Sequence, residues 1–205
     1  MLAIGAPGFD APVDRAGAVY CATALDGSAW SIASILQRSN PGRLERFGQG
    51  LARSSQHMLA GIPGSDHGSQ DAGALAVLSA SPPFTILSER IEPTSHGARM
   101  GSQVAGSSVL AGATMPGALA WDGSRGRVRL FTVYDGGLEP IIDLLTHSDM
   151  PPLGAAIAID GWRVVVTAIG EEDGVPEPGR AWVIDLPSNL ARIRDVVEAH
   201  LLEHP

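Results

Sequence analysis

Apolar residues in this chain come in short runs, broken every ten or so positions by Gly, Pro, Asp, Asn and Ser. This is a pattern of strands and turns; the many small residues and the closely spaced turn signals disfavour helices. The clearest set predicts strands at 49–53, 57–62, 74–79 and 84–91. A second set follows at 103–106, 109–113, 127–134 and 138–145. A third has 155–159, an Asp160-Gly161 turn, 162–169 and 180–186. Upstream, 2–8 and 17–20 match the second and third strands of the clearest set. Residues 30–36 supply that first unit's last strand, behind an Asp26-Gly27 hairpin signal of type I′. Ser39-Asn40-Pro41-Gly42 then connects to the next unit. The pattern changes after Leu186. Pro187-Ser188-Asn189 is a helix start, and Leu190, Ile193, Val197 and Leu201 form one apolar stripe at helical spacing. This helix either packs on its own domain or docks a partner.

The sets are copies of one unit. Gly48, Gly101 and Gly154 are 53 residues apart, and so are Gly73, Gly126 and Gly179, each of which opens an apolar run. Two independent landmarks with one period define a repeat protein. The units fall at about 1–44, 45–97, 98–150 and 151–186, with the helix at 187–205. The first begins without its opening segment, and in the last the helix takes the place of the fourth strand. Four-stranded units in tandem are the signature of a β-propeller, so the expected fold is all-β, propeller-like, with about four blades.

Particular residues carry a family resemblance. Phe47-Gly48 followed by Leu59-Ala60-Gly61-Ile62-Pro63, and Leu2-Ala3-Ile4-Gly5-Ala6-Pro7 before them, resemble FG-GAP repeats. These form the blades of the integrin alpha-subunit headpiece and of many bacterial proteins. In the last two units Met100-Gly101 and Leu153-Gly154 stand for Phe-Gly, and Ala113-Thr114-Met115-Pro116 and Thr167-Ala168-Ile169-Gly170 for the Gly-Ala-Pro part. The resemblance implies a calcium loop between the first two strands of a blade, which needs several oxygen ligands on a tight turn. Here those turns are Arg53-Ser54-Ser55-Gln56, Gly106-Ser107-Ser108 and Asp160-Gly161. They are short and nearly free of carboxylate, so no metal and no cofactor is expected.

Charge narrows the partners. The net charge is -8, from 14 basic residues, all Arg, against 22 acidic ones, which argues against nucleic acid. Arg125, Arg127 and Arg129 alternate; they form either a local basic patch or the solvent face of a strand whose Val128 and Leu130 point inward. Cys21 is the sole cysteine, so no internal disulfide forms, and its apolar neighbours predict a buried thiol. No apolar run has membrane-spanning length and no signal peptide is evident at the N-terminus, so the chain as given is expected in the cytoplasm, or outside the cell if an upstream segment is missing.

The connections between second and third strands hold most of the distinctive side chains. They are 8–16, 64–72, 116–124 and 171–178, and they are expected on one face of the array. That face would carry Phe9, Asp10, Asp14, Asp66, His67 and Asp71, then Trp121, Asp122, Glu171, Glu172 and Asp173. An acidic, partly aromatic rim on a rigid scaffold suits recognition of another protein. Ser65-Asp66-His67 invites a catalytic reading, but neighbours on one loop do not normally converge as nucleophile, base and orienter. No GxSxG, HExxH or phosphate-loop motif is present. The expectation is a non-enzymatic protein-binding or scaffold domain. Its alternatives are a subunit that completes a larger propeller, by dimerisation or with another chain, and a hydrolase or carbohydrate-binding propeller.

Overall fold

The computed structural model describes residues 1–24, 29–92, 96–119, 125–146, 151–172 and 175–187. Among these there are fourteen strands and no helix. They follow one another as four antiparallel meanders. The first holds β1 (Leu2–Ala6), β2 (Ala18–Ala24) and β3 (Trp30–Leu36). The second holds β4 (Leu51–Ser54), β5 (His57–Ile62), β6 (Ala74–Ser79) and β7 (Ile86–Ile91). The third holds β8 (Val104–Gly106), β9 (Ala111–Leu119), β10 (Arg125–Tyr134) and β11 (Gly137–Leu144). The fourth holds β12 (Leu153–Asp160), β13 (Arg163–Glu172) and β14 (Val175–Asp185). Among the described residues no sheet closes on itself, and a parallel pairing of Gly126 with Leu153 joins the third and fourth meanders.

The meanders stack face to face, and a core fills each junction. Strand alternation divides the side chains of each inner sheet between two cores. Met58, Ala60 and Ile62 of β5, with Ala74, Ala76 and Leu78 of β6, meet Val19, Cys21 and Leu36 of the first meander. Leu59, Leu75 and Val77, on the opposite face, meet Ala111, Ala113, Met115 and Phe131 of the third. Leu110, Val128 and Leu130 then meet Val164, Val166 and Ile184 of the fourth. A sheet buried on both faces needs continuous apolar runs, which explains HMLAGI and ALAVLS. Cys21 lies inside the first core, and burial pushes its thiol pKa up.

One backbone contact recurs at every junction. Gly17 bridges Phe47, Gly73 bridges Met100 and Gly126 bridges Leu153, always in parallel. The side chains of Phe47, Met100 and Leu153 enter the first, second and third cores in turn. The contact leaves no room for a side chain on the glycine: a Cβ on Gly73 would lie 2.2 Å from the Met100 nitrogen. Its φ of +83° is also one that only glycine adopts freely. Beside it Gly61 and Gly101 meet backbone to backbone, a Cβ on Gly61 falling 1.9 Å from the Gly101 oxygen.

The expected strands are present, with three corrections. Pro116 does not end the second strand of its unit. β9 runs on to Leu119 through a bulge opposite Arg125 to Arg127, where the missing proline N–H is not needed. The expected loop 171–178 is largely a hairpin, with Glu171 opposite Pro176 and Glu172 opposite Val175. Gly179 keeps the period but lies within β14 and lacks the positive φ of Gly73 and Gly126. The Asp26-Gly27 turn and the helix stripe of Leu190, Ile193, Val197 and Leu201 lie outside the described residues.

Replacing Gly73 with Ala adds both the clash and the left-handed backbone, so it is expected to cost more than about 2 kcal/mol in urea unfolding. Gly8→Ala is the control: a Cβ there meets nothing within 4 Å. It is expected to change stability by less than about 0.5 kcal/mol. Equal losses at the two sites would contradict the junction geometry.

Candidate functional site

The loops of the first two units, 8–16 and 64–72, share one construction. Asp10 Oδ1 accepts from the Arg15 amide at 3.0 Å, and Asp66 Oδ1 accepts from the Asp71 amide at 2.7 Å. Arg15 and Asp71 both have positive φ, 47° and 49°, which the carboxylate clamp helps to hold. The connector to the next unit then locks onto each loop. Arg46 donates to the Arg15 carbonyl and Phe47 to that of Ala16; Arg99 and Met100 donate likewise to Asp71 and Ala72. Position 119, one period on from Asp66, is Leu119. In the third unit β9 and β10 stay paired as far as Leu119 opposite Arg125.

The expected recognition residues are therefore not in one kind of setting. Asp10 and Asp66 are exposed but bind their own loops. Phe9 packs edge-on against Tyr20, with ring centroids 6.2 Å apart. Asp14 reaches Arg43 at 3.4 Å, and both are exposed. Glu171 and Glu172 are at the end of β13 rather than in a loop. Trp121, Asp122 and Asp173 lie outside the described residues.

His67 leads into a buried ionic cluster. Its Nδ1 is 3.3 Å from Ser65 Oγ and 3.5 Å from Glu45 Oε1. Ser65 and Glu45 are both buried. Both approach the same ring nitrogen, while the Asp66 carboxylate is engaged by the Asp71 amide. A relay needs the base between nucleophile and orienter, one on each nitrogen. These three side chains do not form one.

Below His67, Arg38 lies between two carboxylates. It donates to Glu89 through Nε at 2.8 Å and Nη2 at 2.6 Å, and its Nη1 is 2.5 Å from Glu45 Oε1. Burial opposes the guanidinium charge, but Glu89 and Glu45 outweigh it and hold the pKa above its ordinary value. Arg38 thus ties the first meander to the connector and to β7. A second cluster does the same one junction on. Arg129 binds Asp143 of β11 through Nε and Nη2, and Glu92 at the end of the second meander through Nη1. Arg127 joins it at 3.2 Å from Asp143. Arg127 and Arg129 are thus neither a basic patch nor a solvent face; they face the preceding meander, while Val128 and Leu130 are buried as expected.

The turns where the resemblance implies calcium are bonded to one another. Ser54 Oγ donates to the Leu110 carbonyl, the Ser55 amide to Ser107, and Ser107 Oγ to Gly161. Apart from these, an open groove of about 450 Å³ runs between edge strands β3 and β7, past Ile35, Phe84, Ile86 and Leu87. None of the expected loop residues among the described ones lines it. Among the described residues no group of three or more His, Cys, Asp or Glu is placed to hold a metal ion.

Removing one partner of a buried ionic group leaves the other uncompensated, at a cost of about 3–5 kcal/mol. Arg38→Met strands the Glu45 carboxylate, so a loss of that size is expected in urea unfolding. Arg163→Met, at an exposed pair with Asp185, is expected to leave the midpoint unchanged. The reverse order would show that Arg38 does not hold the junction. No family model matches the chain, and no curated protein is similar to it.

Proposed function

We propose that this chain is a non-enzymatic scaffold of the FG-GAP propeller type, its four meanders acting as blades, that binds another protein through its loop edge. The observation that carries this reading is the doubled clamp on loops 8–16 and 64–72: carboxylate to amide within the loop, and connector to loop behind it. Clamped loops are preorganised, which lowers the ordering cost of binding. They present Asp14, Asp66 and His67 to solvent. With a net charge of -8, the complementary partner is basic. The buried polar clusters are engaged in holding junctions, which also favours a scaffold over an enzyme.

A second reading rests on a different observation. The outer faces of the first and fourth meanders are apolar and uncovered, Ile32 being 62% and Val183 58% exposed. A chain with two such faces is also suited to complete a larger ring.

Selection of a displayed peptide library on the immobilised protein tests the first reading. Basic peptides are expected to be enriched, and Asp14→Asn with His67→Ala is expected to weaken them at least about tenfold, which corresponds to 1.4 kcal/mol. Enrichment of neutral peptides, or binding indifferent to both substitutions, would contradict it.

A further inference from the structure

We propose that the outer face of the first meander docks on the outer face of the fourth meander of a second copy, so that two chains close head to tail into one ring. The proposal rests on the propeller reading and names the partner in its second form.

The first meander's outer face is built by register. Leu2, Ala22 and Ile32 lie opposite one another, as do Ile4, Tyr20 and Ile35. Strand alternation puts both rows on one side of the sheet. The repeat shows what such a face is for. Gly5 pairs with Val19 as Gly61 pairs with Leu75, so Leu2, Ile4 and Tyr20 hold the places of Met58, Ala60 and Ala76. Those three are buried against the preceding meander. Ile4, in the same place on the first meander, is 50% exposed.

The fourth meander's outer face is the complementary kind. Val165 opposite Val183, and Thr167 opposite Ala181, repeat the places of Gly112 opposite Leu130 and Thr114 opposite Val128. Val128 and Leu130 are buried against the following meander. The two open faces are thus the two halves of a junction that the chain already makes three times. Size also matches, because Ile, Leu and Tyr on the first face meet Ala, Val and Thr on the other. Within one chain the faces do not meet, since both Ile32 and Val183 are exposed. Two chains satisfy both junctions, a closed arrangement with twofold symmetry. Two arcs of four units give about eight blades, within the known range for propellers.

Light scattering on the purified chain tests this. The native protein is expected at twice its 21.2 kDa mass. Ile32→Glu and Val183→Glu are each expected to give the single-chain mass, with an unchanged far-UV circular dichroism spectrum. A mixture of the two variants is expected to recover the double mass, because one junction retains both native faces. That recovery is specific to a head-to-tail contact. A native protein that stays at the single-chain mass would overturn the proposal, and so would a double mass that survives Val183→Glu. Neither outcome touches peptide binding at the loop edge, so the two readings fail separately.

Discussion

The structure depends on a close approach between backbones at each junction. Gly61 and Gly101 touch main chain to main chain, and Gly73 admits Met100 at a φ that other residues strain to adopt. Without side chains at these places, one sheet can lie directly on the next. Strand alternation then delivers apolar side chains to both faces, and each junction gains its own core. The connector residues that make that contact, Phe47, Met100 and Leu153, return every 53 residues. Stability in such an array is largely a sum of unit and nearest-neighbour terms, so what happens at one junction recurs at the others.

Polar groups follow the same geometry. Backbone approach leaves charged side chains at the margins of each junction, where they must be paired. Arg38 with Glu45 and Glu89, and Arg129 with Asp143 and Glu92, each link one meander to its neighbour. The serines of the inner turns make a line of hydrogen bonds across three units. The loop edge is held stiff by the connector that brings the next glycine into place. Rigidity at the candidate recognition edge is therefore a by-product of stacking.

The sequence exposes some of this and hides the rest. Strands 57–62 and 74–79 are legible to the residue, because a sheet buried on both faces leaves an unbroken apolar run with glycine or proline at its ends. The outer strands are less so: β14 begins at Val175, where a hairpin continues through residues that look like a loop. The clamp in 8–16 and 64–72 had a readable signal, an aspartate in each loop at matching places, but its effect is structural and appears only with the backbone turn. Arg38 and Glu89 carry no sequence signal at all, since 51 residues separate them and only stacking brings them together. Arg127 and Arg129 mislead for the same reason. Alternation places them on the face opposite Val128, and what covers that face is another unit.

The amide protons of Phe47 and Met100 test the central claim most directly. Each donates to the preceding unit, to Ala16 and Ala72 respectively, at the contact that defines a junction. Native-state hydrogen exchange, read residue by residue, compares them with the amides of β5 and β6. If the backbone contact holds the stack, the two junction amides exchange as slowly as those central strands, through the same global opening. Fast exchange at Phe47 and Met100 while β5 and β6 stay protected would mean that the junctions open on their own and that the meanders do not depend on them.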